Sequence, residues 1–312
     1  MHFTESAGDP FIAAALACGA TERVEIGTAI ALAFPRSPLD LAYSAWDLQE
    51  LSGGRFVLGI GTQVRAHIER RYGSVWSSPA ARICDFTRAV RAIWAAWQSG
   101  EELRYEGPFY RHTLMPANFR PPPLAGSPPP IMLAGVRERM LEAVGEVGDG
   151  LLGHSLQTPA VFDAVTLPAL RRGLQRAGRE PGSLRVGIGV FAATSEQRWE
   201  SIRARIGFYA STPGYRHVLD HHGLGDLFER LHGHSRQGEW ARMTALVSDE
   251  VMGLFVVDAS DPVAGAAELK RRWAGRAGRL ALDAGDRSTP EEWAELVAAL
   301  GDGPADRHLA GR

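Results

Sequence analysis

The sequence predicts an α/β protein built on a parallel sheet, and three observations carry that prediction. Residues 24–29 and 55–61 are apolar, β-rich runs separated by one amphipathic helical stretch, so they read as strand, helix, strand. Two strands joined by a helix of that length are parallel neighbours with a right-handed crossover. The same alternation recurs along the chain, giving about six strand–helix units with strands near 24, 55, 131, 150, 184 and 279. Residues 184–194, LRVGIGVFAAT, mix consecutive apolar residues with glycines, the pattern of a strand buried on both faces.

Taken in order, residues 1–10 show no strand pattern, and the chain is expected to open in a loop. Residues 10–19 are Ala-rich and predict a short, mostly buried helix carrying Phe11, Ala14, Leu16 and Cys18. After the strand at 24–29, Ser37 is a good N-cap, Pro38 fits the first helical position and Asp40 has capping-box spacing. That helix places Leu41, Ala45, Leu48 and Leu51 on one face and stops at Ser52-Gly53-Gly54. Ser78-Pro79 opens another helix, whose Ile83, Phe86, Val90, Ile93, Trp94 and Trp97 recur at core spacing up to Gly100. Residues 103–111 read as a small hairpin turning at Glu106-Gly107, and RPPPLAGSPPP is a loop.

The alternation then resumes, with strands at 131–135 and 150–154 and helices at 137–147 and 160–177. Residues 195–250 are helical and charged, with breaks at Thr212-Pro213-Gly214 and near His232-Gly233-His234. Having no strand pattern of its own, this stretch is expected to be an exposed helical insertion within a single domain spanning residues 1–312. Residues 252–258 are apolar, 262–273 helical, 279–283 a last short strand and 290–300 a last helix, after which the tail frays.

Composition narrows the partners. A formal charge of −2 in 312 residues gives no basic surplus for nucleic acid or an anionic membrane. Cys18 and Cys84 are too few for a disulfide framework and have no metal-ligand spacing. No run approaches the roughly 20 apolar residues that span a bilayer, and MHFTESAGDP lacks the features of a signal peptide, so a cytoplasmic protein is expected. The histidines His221-His222 and His232-Gly233-His234 lack both a nearby cysteine and HExxH spacing, and a solvated face is expected there instead of a metal.

Repeated strand–helix units leave two architectures, an open doubly wound sheet and a closed barrel. The run Gly59-Ile60-Gly61-Thr62-Gln63-Val64 tests the first and fails it. Val64 stands where a dinucleotide fingerprint has its third glycine, and no helix opens at the second; the next strong helix waits until Pro79.

Four ordered blocks resemble a known family: AFPRSPLDLAYSAWDLQELSGGRFVLGIGTQVRAHIERRYG, WSSPAARICDFTRAVRAIWAAWQSG, LRYEGPFYRHTLMPANF and IMLAGVRERMLEAVGEVGDGLLGH. They look like the luciferase-like monooxygenase superfamily, most closely its actinobacterial coenzyme F420-dependent oxidoreductases, over residues 9–283. The resemblance implies a (β/α)8 TIM-barrel with helical insertions, binding its cofactor at the carboxyl ends of the strands. It also implies an incomplete N-terminus, because family chains carry a strand, a helix and a second strand before the loop that here reads TESAGDPF.

By that resemblance, Thr28, Ala29 and Ile30 lie where the family has a bulge with a non-prolyl cis peptide, Ala29-Ile30, under the flavin or deazaflavin ring. Thr62 and Gln63, after the next strand, offer a hydroxyl and an amide to the cofactor. Gly135-Val136-Arg137 joins a strand end to a helix start, where free N–H groups, the helix dipole and the Arg137 charge favour a phosphate. His154 and Ser155 follow the next strand and are candidates for the same mouth. Many members carry a histidine just before Asp-Pro-Phe, where this chain has Gly8, so Glu5, Asp9 and His67 become the candidate proton donors. The function implied is hydride transfer between coenzyme F420 and a small organic substrate, in a homodimer. The alternatives are an FMN-dependent monooxygenase and a catalytically degenerate cofactor-binding or subunit module.

Overall fold

A computed structural model describes residues 1–5, 8–282 and 290–301. These residues divide into two units, the first comprising residues 1–135, 139–152 and 172–179, the second 136–138, 153–171 and the described residues from 180 onward. The tail after Gly301 and the last position of the strand expected at 279–283 lie outside the described residues.

The first unit is a parallel sheet with helices between its strands. Its elements are β1 (His2–Phe3), α1 (Pro10–Ala20), β2 (Ile26–Thr28), β3 (Ala31–Leu32), α2 (Pro38–Leu51), β4 (Phe56–Gly61), α3 (Arg65–Arg70), α4 (Pro79–Ser99), the hairpin strands β5 (Tyr105–Glu106) and β6 (Arg111–His112), β7 (Ile131–Ala134), α5 (Glu138–Val147) and β8 (Gly150–Gly153). β1 pairs with β2, β2 and β3 with β4, β4 with β7 and β7 with β8, every pair parallel. β4 is the centre of this order, and all six of its residues are buried.

Local chemistry explains the helix starts. Ser37 Oγ accepts the Asp40 N–H at 3.1 Å, so α2 begins where its cap and Pro38 place it. Asp9 caps α1 in the same way, accepting the Phe11 N–H at 2.8 Å. On α4 the expected stripe is core: Ile83, Phe86, Val90, Ile93, Trp94 and Trp97 are all buried.

Four expectations need correction here. The opening is not all loop, because His2–Phe3 pairs with Gly27–Thr28 as β1; two residues are too short to show a period of two. Leu16 is 73% exposed and Leu51 56% exposed, so the buried stripes of α1 and α2 are narrower than expected. On α1 Ala14 and Cys18, one turn apart, face inward as expected. The strand at 24–29 is shorter at its start and resumes beyond Ala29-Ile30 as β3. The charged stretch after Val64 contains a short helix, α3, whose one buried residue is Ile68.

The second unit contains α6 (Pro159–Val161), a π-helical turn (Phe162–Thr166), α7 (Leu167–Arg176), β9 (Arg185–Ala193), α8 (Glu196–Ala210), α9 (Arg216–His221), α10 (Gly225–Gln237), α11 (Trp240–Leu246), α12 (Asp249–Phe255), β10 (Val256–Asp258), α13 (Pro262–Trp273), β11 (Arg279–Leu282) and α14 (Pro290–Leu300); the last part of α7 belongs to the first unit. β9 is nine residues long and pairs parallel with two strands in succession, β11 along Gly187–Val190 and β10 along Phe191–Ala193. The strand count of six therefore missed β10, whose three residues follow α12 without a turn and merge with its apolar pattern.

The stretch 195–250 is not simply an exposed layer. Ile202, Ile206, Val218, Leu219, Phe228, Leu231 and Met243 form a buried cluster with Phe191 and Met252. His221 is exposed as expected, whereas the other three have structural partners: His222 Nε2 meets Thr158 Oγ1 at 2.9 Å, His232 Nδ1 meets the Ser211 carbonyl at 3.0 Å, and His234 Nδ1 meets Glu239 at 2.6 Å. Among the described residues, no three ligand-type side chains gather as a metal site would require, and no helix is long and apolar enough to cross a membrane.

Candidate functional site

At the carboxyl ends of β2 and β4 the two strands lie unusually close. The Thr28 hydroxyl donates to the Gly59 carbonyl at 2.6 Å and accepts the Gly59 N–H at 3.0 Å. Its one proton is thereby used inside the sheet, and the Thr28 side chain is buried. A Cβ on Gly59 would lie 1.8 Å from the Thr28 carbonyl oxygen, so only glycine permits this spacing.

The chain then steps from β2 to β3 through Ala29-Ile30, which is a cis peptide between non-prolyl residues. Both residues are half-buried. Main-chain bonds hold the step, with the Ala29 N–H donating to Phe3 O at 2.8 Å and the Glu5 N–H donating to Ile30 O at 3.2 Å. Gly61 stands beside it, and a Cβ there would come within 2.2 Å of Ile30 Cδ1. Beyond β4, Thr62 donates to the Gln63 carbonyl at 3.1 Å, and Gln63 takes a left-handed conformation, φ 58°. Gln63 Oε1 accepts the Val64 N–H at 3.0 Å, which leaves the amide nitrogen as its outward donor.

The three candidate proton donors of this unit differ in kind. Glu5 is a hub: Oε2 accepts the Leu32 N–H at 2.9 Å and Arg36 Nη1 at 2.6 Å, and Oε1 accepts the Tyr72 hydroxyl at 3.1 Å. Burial and the adjoining Glu5 carboxylate hold the Tyr72 phenol above its ordinary range. Asp9 combines its cap of α1 with an ion pair to Arg36 at 2.9 Å. His67 lies exposed on α3. The structure brings Glu5 and Asp9 together on Arg36, and joins Glu5 to the Ala29-Ile30 step.

Gly135 closes β7 and is buried, with Val144 and Leu141 of α5 so near that a Cβ would crowd both. In the second unit Val136 is half-buried, and Arg137 stands exposed just before α5. The Arg137 charge reaches His217, whose pKa is lowered first by burial and then in part by that charge. His154, half-buried, accepts the Leu156 N–H on Nδ1 at 3.0 Å, so the neutral ring carries its proton on Nε2. Its ring packs against Tyr209 at 4.5 Å and Tyr215 at 4.6 Å between centroids. Ser155 is buried beside Gly189, where a Cβ would come within 2.5 Å of its hydroxyl. Tyr209 also lines an apolar groove of about 260 Å³ with Phe208, Trp240 and Met243.

Sequence reasoning missed Arg36, Tyr72, Tyr209, Tyr215 and His217. A charge inside the apolar turn FPRSP was the available signal for Arg36, and two tyrosines flanking the break at Thr212-Pro213-Gly214 were the signal for the ring cluster. Tyr72 and His217 carry no comparable mark.

Comparison with known proteins gives the family and the fold class. An uncharacterised protein of Mycobacterium tuberculosis is 45% identical over 269 residues, covering 84% of this chain and 79% of that protein. A phthiodiolone/phenolphthiodiolone dimycocerosates ketoreductase of Mycobacterium sp. strain JLS is 34% identical over 177 residues, 56% of this chain and 45% of the enzyme. Among solved structures, the coenzyme F420 dependent tetrahydromethanopterin reductase of Methanopyrus kandleri superposes with a TM-score of 0.75 at 19% identity, covering 95% of this chain and 87% of that one. The EDTA monooxygenase of Chelativorans sp. BNC1 superposes at 0.69 with 18% identity, covering 97% and 79%. These likenesses give the fold class as the luciferase-like barrel type, although neither unit's sheet closes on itself among the described residues. The model of the luciferase-like monooxygenase family matches residues 1–280, and the chain belongs to that family of oxidoreductases.

Proposed function

We propose that the chain is a coenzyme F420-dependent oxidoreductase that moves a hydride between the deazaflavin and a small organic substrate. What supports this reading is the family match over residues 1–280 together with the likeness in fold to the F420-dependent reductase of Methanopyrus kandleri. When bound, the deazaflavin exchanges hydride at C5 and does not activate oxygen, so the protein's share is binding, orientation and exclusion of water. Gly61 lets the Ile30 side chain lie against β4, because a Cβ there would come within 2.2 Å of Ile30 Cδ1.

Ala29 and Ile30 form the seat, and Gln63, after β4, keeps its amide nitrogen as a donor. Arg137 supplies a positive charge for an anionic group; among the described residues no hydrogen bond or ion pair engages its guanidinium. In the second unit His154 holds a proton at Nε2 when its ring is neutral. The likeness to the F420-dependent secondary alcohol dehydrogenase, at a TM-score of 0.68, supports alcohol and ketone substrates as the first to assay.

Titration of the purified protein with coenzyme F420 and with FMN, followed by turnover with and without oxygen, tests the reading. We expect deazaflavin binding and oxygen-independent hydride exchange. Tight FMN binding with oxygen-dependent turnover would replace it by the monooxygenase reading. Binding without exchange across alcohols and ketones would favour the catalytically degenerate module, which Gly8 in the histidine position also favours. A homodimer acting in the cytoplasm completes the proposal, and light scattering checks the mass.

A further inference from the structure

β1 ends at Phe3, and from there a side chain takes over the pairing. Ala29 is held by the Phe3 carbonyl and Ile30 by the Glu5 N–H, both main-chain bonds. Two residues further on, the Leu32 N–H donates to the Glu5 carboxylate at 2.9 Å, at a height where a continued strand would offer a carbonyl. The same oxygen accepts Arg36 from the turn before α2, and the other accepts Tyr72 from the loop after α3. Arg36 is fixed in turn by Asp9 at 2.9 Å and by the Leu32 carbonyl at 3.2 Å. One carboxylate, 8% exposed, therefore ties together the chain leaving β1, β3 and β4.

Both oxygens of this carboxylate are engaged in holding Leu32, Arg36 and Tyr72, and hydrogen bonds of this charge-assisted kind are the strong ones. We infer that Glu5 is a positioning residue: its carboxylate sets the 29–32 main chain as the seat of a planar cofactor ring, through Leu32, Arg36 and Tyr72. This rests on the reading that such a ring binds at Ala29-Ile30. Asp9 serves the same assembly one step removed, by orienting Arg36.

Glu5→Gln is the informative variant, because its amide keeps an oxygen for Leu32 and Arg36 and turns its nitrogen to the Tyr72 oxygen, losing only the charge. We expect it to fold, to bind coenzyme F420 about tenfold more weakly, and to shift the visible band of the bound deazaflavin. The shape of the pH–rate profile should be unchanged. Tyr72→Phe, which removes one bond of the three, should weaken binding by about threefold. Loss of one limb of the pH–rate profile at unchanged affinity would make Glu5 a proton donor and overturn the inference. A lowered melting temperature with unchanged affinity and band position would reduce Glu5 to a purely structural role and overturn it equally.

Amide exchange without cofactor separates this inference from the one it rests on. In Glu5→Gln the Leu32 amide should exchange at least about tenfold faster than in the wild type. Unchanged Leu32 exchange overturns the positioning role whatever binds, whereas a wild type that binds neither coenzyme F420 nor FMN overturns the proposed function.

Discussion

The Cβ that Gly59 lacks would lie 1.8 Å from the carbonyl oxygen of Thr28. The Thr28 hydroxyl spans the same gap with two hydrogen bonds, so the two residues fix the distance between β2 and β4 from both sides. Gly59→Ala is therefore expected to fail to fold, since backbone cannot yield by more than an ångström without breaking the ladder. Gly61→Ala meets only the flexible end of Ile30, at 2.2 Å, and should fold with about 1–3 kcal/mol of lost stability. Soluble yield and urea midpoints of the two variants check the contrast.

Asp85 organises the hairpin. Its buried carboxylate accepts the Tyr105 hydroxyl at 2.5 Å and the N–H groups of Phe109 and Tyr110 at 2.8 and 2.9 Å. Asp85→Asn keeps an oxygen for the two N–H groups and turns its amide nitrogen to the Tyr105 oxygen, so it loses the charge alone and should cost about 1–2 kcal/mol, read as a lower urea midpoint. Proteolysis would then nick first between Leu103 and His112 if the hairpin opens before the rest.

Stability should fall on the acid side of neutrality. Burial lowers the pKa of His112, His217 and His222 below the ordinary 6.5, so the unfolded chain takes up protons that the folded chain refuses. With the folded values depressed, nothing is lost above about pH 6.5, and stability declines as the pH drops below it. His217→Gln and His222→Gln should each flatten that decline. Glu268, held down to about 2 by Arg271 and Arg272, adds a second loss as the pH falls from 4.5 towards 2. Urea titrations across this range give the slope directly.

Neither thiol should react in the native state. Burial and the nearby Glu146 push Cys84 up to about 11, and burial also raises Cys18. At pH 8 a thiol-specific disulfide reagent should label no cysteine until denaturant is added, and then both. Prompt labelling of one equivalent under native conditions would contradict the buried placement.

What the sequence made legible was local. Ser37, Pro38 and Asp40 mark a helix start through contacts three residues apart, and the stripe from Ile83 to Trp97 reports its own burial by period alone. β1 and β10 escaped because two or three residues cannot show a period, and because their pairing partners lie far off in sequence. The candidate site was legible only by resemblance. Glu5 looked like a free acid because its partners Leu32, Arg36 and Tyr72 are 27, 31 and 67 residues away. Thr28 looked like a ligand because nothing local shows that Gly59 consumes its hydroxyl.

The close approach of β2 to β4 also divides the chain by its tolerance of change. At Gly27 and Gly59 the addition of a single carbon meets a backbone oxygen within 2.8 Å, so drift by ordinary substitution is blocked there. Around the groove at Phe208 and Trp240, both more than half exposed, side chains can be exchanged without displacing any backbone. A lineage built this way can change the surface at the groove freely while β2 and β4 stay constant, and random substitutions that leave the protein folded should accumulate on α8 and α11 before they appear at Gly27 or Gly59.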